Sequence, residues 1–162
     1  MPNASRHTRW ILGLTLVLIL AWSVVVRWLP RPELAETNYV ANRLRIERWM
    51  LGPAASNVIV GTSIGGRLLP AYFDGTRLAT LANLGLDGAN PETGLKLVLQ
   101  RPVPPARVFL EVHRLLMPPS DNDRKLLDLV EGPGMAVSRA LPWTRADWRP
   151  STVLYGWLKR RQ

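Results

Sequence analysis

Trp10 to Val26 (WILGLTLVLILAWSVVV) runs 17 residues without a charge. No other feature constrains the chain as much. Extended through Arg27, Trp28 and Leu29, the segment reaches 20 residues. That is about 30 Å of helix at 1.5 Å per residue, the thickness of a bilayer's hydrocarbon core. Arg27 lies at one end, where its stem can carry the charge to the headgroups. Trp10 and Trp28 mark the two ends, as interfacial aromatics do. A buried core helix is the lesser alternative, since the segment is apolar on all faces. A cleaved signal peptide is the competing reading. Its apolar region would be shorter, and no small-x-small site follows; the next residues are Arg27-Trp28-Leu29-Pro30-Arg31. The expectation is an uncleaved, single-pass membrane anchor.

The organisation that follows has a basic N-terminus over 1–9 and a transmembrane helix over 10–29. A juxtamembrane linker and helix occupy 30–53, and a small domain occupies 54–162. Arg6 and Arg9 precede the anchor without an acid, while Arg27 and Arg31 follow it. The bias is small and leans to a cytoplasmic N-terminus with the domain extracytoplasmic. A chain of 162 residues leaves room for one modest core beyond the anchor. There is no cysteine, which excludes disulfides and thiolate sites. The two histidines, His7 and His113, are far apart, so neither a metal nor another cofactor is expected. Net charge is +9. The arginines are scattered (Arg43, Arg45, Arg48, Arg67, Arg77, Arg101, Arg107, Arg114), and Lys159-Arg160-Arg161 is the one run. No nucleic-acid motif accompanies them, so the partner expected of this charge is anionic lipid or an acidic polymer, not nucleic acid.

Past the anchor, Arg31 to Glu36 reads as a proline-containing linker. Asn38 is placed to cap a helix to about Met50, stopped by Gly52-Pro53. Asn57 to Val60 (NVIV) is apolar and β-branched, the pattern of a strand, and Gly61 to Gly66 (GTSIGG) predicts a flexible turn after it. Leu78 to Leu84 predicts a second strand, followed by Gly85. Asn90-Pro91-Glu92 combines a capping side chain, a first-turn proline and an acid, and starts a helix to about Gln100. Arg107 to Val112 (RVFLEV) is the third strand. Short apolar strands alternating with helical or loop segments predict an α/β domain with a parallel sheet. Val58–Val60, Ala79–Leu84 and Phe109–Val112 are expected as parallel neighbours. Beyond them, Asp121 to Val130 reads as a helix stopped by Gly132-Pro133-Gly134, and Ser151 is placed to cap a last helix reaching Arg160.

The chemistry-bearing segment is Val58 to Arg67 (VIVGTSIGGR). Ser63, just past the first strand, would sit at the carboxyl edge of a parallel sheet, where such folds place ligands. Glycines around it permit a sharp turn, and backbone N–H groups there suit an oxyanion. The same residues also fit an ordinary strand-to-helix turn with a capping serine. Together with Asn83-Leu-Gly85-Leu-Asp87-Gly88-Ala-Asn90-Pro91, the segment resembles the first two blocks of SGNH (GDSL-like) hydrolases. It is more similar to the membrane-anchored branch related to D-alanyl-lipoteichoic acid transfer and polysaccharide O-acetylation proteins. In that branch an anchor helix precedes a strand ending in Gly-Ser/Thr-Ser, an Asn-Leu-Gly-like block and a strand such as VFLEV. The resemblance covers roughly Asn57 to Arg114.

The resemblance implies a small, partial flavodoxin-like (SGNH-like) domain with a short parallel sheet. It places Ser63 at the nucleophile position and makes the N–H of Gly85 an oxyanion donor. Asn83 and Asn90 are nearby amides without an assigned match. The third block departs, reading Glu111-Val112-His113-Arg114 where the family has an asparagine, and the final Asp–His block is absent. A serine without an adjacent base is a weak nucleophile. His113 is the candidate base, with Asp87 and Glu111 as candidate partners. Three readings stay open. The first is a reduced or truncated, non-catalytic accessory protein in cell-envelope or exopolysaccharide assembly, working with membrane lipid and the biosynthesis proteins of those polymers. The second is a serine acyl-ester hydrolase or O-acyltransferase using Ser63. The third is an unrelated membrane-anchored interaction domain. The missing block also fits a fragment of a longer gene product.

Overall fold

The computed structural model describes residues 3–29, 32, 35–78 and 80–159. Contacts divide the chain into two compact units, Met1–Arg31 and Pro32–Gln162. The first consists of α1 (Asn3–Trp28). Its Arg6–Trp28 stretch of 23 residues is the one helix among the described residues that is long and apolar enough to cross a membrane. The hydroxyl of Ser23 donates back to the Ile19 carbonyl at 2.7 Å, so its polar group is satisfied within the helix.

The second unit is a mixed α/β domain. Its helices are α2 (Asn38–Leu51), the single turn α3 (Ser63–Gly66), α4 (Pro91–Leu99), α5 (Asp121–Glu131), α6 (Pro133–Ala140) and α7 (Pro150–Lys159). Its strands β1 (Asn57–Gly61), β2 (Leu81–Gly85) and β3 (Arg107–Leu110) form one parallel sheet in the order β2-β1-β3. Asn57 pairs with Leu81 on one side and Arg107 on the other, and Val60 with Leu84 and Leu110. The expected parallel arrangement is therefore present. β1 is buried throughout, which explains its unbroken apolar run Val58–Val60; a central parallel strand is covered on both faces.

Side chains alternate along a strand, so Val58 and Val60 share a face. They join Ile46, Trp49, Leu84, Leu97, Leu126 and Met135 in the main core. Helices α2 and α4 lie against the sheet, and α5 and α6 pack on them. Arg101 fastens this layer: it stacks over the Trp49 ring at 4.9 Å and donates to the carbonyls of Trp49 and Gly52. The opposite face is met by α3 and a 3₁₀ turn at Pro70–Phe73. Ile59, Ile64, Leu68, Phe73, Leu81 and Phe109 line an open groove there. β3, at the edge, is exposed along its length.

Several boundaries differ from the sequence expectation, each for a local reason. Thr37, not Asn38, caps α2, because its Oγ1 accepts the Val40 N–H at 3.2 Å. Ser63–Gly66 is helical and not a flexible turn, since Thr62 caps it and Glu111 braces it. β2 begins at Leu81, and Ala79 lies outside the described residues. β3 ends at Leu110: Glu111 N–H makes a last bond to the Val60 carbonyl, and the chain then turns through Arg114 at φ 63°. Gly132-Pro133 ends one helix and begins the next, because a proline at the first position lacks only an N–H that would have no helical partner. α7 starts at Pro150, so Ser151 is inside the helix and bonds Glu36 instead.

Candidate functional site

The end of β1 delivers Thr62 in an extended conformation to the start of α3. Ser63 is the first residue of that turn and is half-buried; its hydroxyl has no hydrogen bond among the described residues. β3 neighbours β1, so Glu111, just past β3, comes to lie against the turn. Its Oε2 accepts the N–H groups of Thr62 at 2.9 Å and Gly65 at 3.0 Å, and its Oε1 accepts the Thr62 hydroxyl at 2.7 Å. The N–H groups at the start of a helical turn lack helical partners and favour an anion, which Glu111 supplies from within the chain. Burial raises the Glu111 pKa, but the Thr62 hydroxyl and N–H, the Gly65 N–H and the attraction of His113 outweigh it and hold the carboxyl below its ordinary 4.5. A carboxylate so stabilised is a poor general base.

The two blocks meet backbone to backbone. A Cβ on Gly85 would overlap Gly66 N and the Gly65 carbonyl carbon, and one on Gly61 would overlap the Glu111 side chain. Glycine is required at both positions by close approach. Arg45, from α2, clamps this junction: Nη1 donates to the Gly85 carbonyl at 2.6 Å, Nη2 to the Gly66 carbonyl at 3.0 Å, and Asp87 pairs with it at 3.3 Å. The N–H of Gly85 donates to Asn83 Oδ1 at 2.7 Å, within its own strand. Asn83 Nδ2 donates to the carbonyls of Gly65 at 2.9 Å and Leu68 at 2.6 Å. Asn83 thus fixes the chain leaving α3.

Asn90 does structural work at the start of α4. Its Oδ1 accepts the Glu92 N–H at 3.0 Å and its Nδ2 donates to the Met117 carbonyl at 2.5 Å. Asp123 accepts the Asn90 N–H at 2.7 Å, the Thr93 hydroxyl at 2.6 Å, and both Ser120 donors at 2.7 Å. Burial raises its pKa, and these bonds from Thr93, Asn90 and Ser120 more than reverse the effect, leaving it below 3.8. Asp87 receives Asn42 as a two-bond brace: Asn42 Nδ2 donates to its carbonyl at 2.9 Å and its N–H donates to Asn42 Oδ1 at 2.7 Å. His113 is exposed, close enough to Glu111 to act on it electrostatically, and makes no hydrogen bond to Ser63.

The structure therefore brings Ser63, Glu111 and Gly85 to one sheet edge, with His113 beside Glu111. Asn90 belongs to the α4–α5 junction. Sequence reasoning missed Arg45 and Asn42; both lie on α2, ahead of the first strand, and no motif spacing marks them. Among the described residues no group of three His, Cys, Asp or Glu side chains converges as a metal set. Comparison with family models, curated proteins and solved structures finds no match.

Proposed function

We propose that the chain is a membrane-anchored, non-catalytic SGNH-like protein, an accessory in cell-envelope or exopolysaccharide assembly. The observation that carries the non-catalytic part is the Glu111 carboxylate seated on the Thr62–Gly65 turn. An oxyanion forming on a Ser63 adduct would meet a fixed negative charge on donors it needs, and like charges so close repel. The Gly85 N–H, the second donor the resemblance assigns, is directed to Asn83. The parallel order β2-β1-β3 supports the fold part, since it begins the flavodoxin-like order. The apolar α1 supports the anchor, and the third block, which reads Glu111-Val112-His113-Arg114 where the family has an asparagine, supports the non-catalytic part.

The test uses the full chain in membranes. It is expected to stay with the membrane through a carbonate wash and to give no adduct with a fluorophosphonate serine probe. An adduct that Ser63→Ala abolishes would establish the hydrolase or transferase reading instead, and its loss in His113→Ala would make that histidine the base. Crosslinking in native membranes is expected to recover envelope or exopolysaccharide biosynthesis proteins; recovering only unrelated partners counts against the accessory role.

A further inference from the structure

The C-terminal helix presents two unlike faces. Thr152, Val153 and Gly156 are buried in the domain. Leu154, Trp157 and Leu158 are 56%, 44% and 51% exposed. Positions three and four apart lie together on a helix, so these three form one outward stripe. Lys159-Arg160-Arg161 follows it, and no acid occurs from Pro150 onward. An aromatic and aliphatic stripe beside a cationic end is the composition of a helix that lies in the headgroup region of an anionic bilayer.

The helix is also bonded to the segment that opens the domain. Glu36 accepts the hydroxyls of Ser151 at 2.9 Å and Thr152 at 3.4 Å. Glu36 lies eight residues beyond Trp28, the last residue of α1. Eight residues span at most about 28 Å even when fully extended. We propose that the Leu154–Trp157–Leu158 stripe of α7 docks on the anionic lipid surface beside the anchor, with Lys159 and the arginines after it supplying the charge attraction. This rests on the membrane-anchor part of the functional reading. A second copy of the chain is a poorer occupant, because three side chains fall far short of the roughly 1,000 Å² that a specific protein interface buries.

The chain has no cysteine, so a single introduced one labels uniquely. Leu154→Cys and Leu158→Cys are made in the full-length protein, with Lys125→Cys on the exposed side of α5 as control, and labelled with the polarity-sensitive fluorophore NBD. The labelled chains are reconstituted into vesicles of phosphatidylcholine alone or mixed with phosphatidylglycerol. In the mixed vesicles both α7 labels are expected to shift to the blue and to be quenched by shallow doxyl lipids. Quenching is expected to fall severalfold in phosphatidylcholine alone or on reversing the charges with Lys159→Glu and Arg160→Glu, while the control label stays in water. Water-exposed α7 labels in both vesicle types would overturn the docking while leaving the anchor intact. Protection that ignores lipid composition but vanishes on diluting the protein would overturn it in favour of self-association. Release of the chain by carbonate from the same vesicles would overturn the anchor reading, and the docking with it.

Discussion

The Glu111 carboxylate holds both donors of Thr62, the N–H at 2.9 Å and the hydroxyl at 2.7 Å, across 49 residues of sequence. This pair ties the end of edge strand β3 to the end of central strand β1. Glu111→Ala would leave three donors without their acceptor. Hydrogen bonds to a charged group contribute about 1.5–3 kcal/mol, so a loss of about 2–3 kcal/mol is expected for the variant. Denaturant unfolding of the full chain in detergent measures it; a loss under about 0.5 kcal/mol would place the pair among incidental contacts.

Glu111 and Asp123 also fix an acid dependence. Both carboxyls titrate below their ordinary 4.5 and 3.8 in the folded chain. Their contribution is fully present above those ordinary values. As pH falls, the unfolded chain takes up protons first, so stability drops until pH passes the folded values. The melting temperature is expected to be level from about pH 7 to 5 and to fall below about pH 4. Asp123→Asn should make that acid limb shallower; an unchanged limb would mean that other groups carry it.

Gly85 and Gly134 make a matched contrast. A Cβ at Gly85 has no room against Gly65 and Gly66, whereas one at Gly134, in α6, meets nothing within 4 Å. Gly85→Ala is expected to cost more than about 2 kcal/mol through forced backbone shifts. Gly134→Ala, in the first turn of α6, is expected to add about 0.4–1 kcal/mol, because alanine narrows the conformations open to the unfolded chain. Equal effects from the two would refute the close-approach account.

Glu47 is the buried counterpart to these turn contacts. Its Oε1 meets Arg43 Nε at 2.7 Å and accepts the Ser138 hydroxyl at 3.2 Å, while its Oε2 accepts the Ala146 N–H at 2.6 Å. It therefore binds α2 to the segments around α6. Removing one partner of a buried ion pair leaves the other charge uncompensated and costs about 3–5 kcal/mol. Thermal unfolding of Glu47→Ala should show that loss, with Glu47→Gln intermediate; a neutral Glu47→Ala would show that Arg43 finds solvent on its own.

The strands and α4 were legible because local signals and tertiary environment agree. Val58–Val60 is apolar on both faces and is buried on both faces; Asn90-Pro91-Glu92 carries its own cap. The site was legible only as far as its backbone. GTSIGG and NLG mark where glycine must allow close approach, but what sits on the turn depends on Glu111, placed there by the β1–β3 register. Nothing in the residues near Ser63 specifies that a carboxylate 46 residues past Gly65 will occupy its N–H. Likewise, Ser151 reads locally as a cap, and only the tertiary contact with Glu36 assigns it elsewhere.

The same logic separates Thr62 from Ser63. Thr62 Oγ1 accepts the Ile64 N–H at 3.4 Å and donates to Glu111, so it is both cap and link. Ser63 adds a hydroxyl without a hydrogen bond among the described residues, at a position where the backbone alone continues the turn. Thr62→Ala is expected to cost about 1–2 kcal/mol, the usual loss for a capping residue. Ser63→Ala is expected to stay within about 0.5 kcal/mol of the parent, as surface changes away from special features do. Paired unfolding curves decide between these values. A large loss on Ser63→Ala would show that its hydroxyl holds the turn, and would make that variant unfit as a control for probe labelling. Near-neutrality makes it a clean control, since any lost labelling then reports the hydroxyl's chemistry and not the collapse of the turn around it.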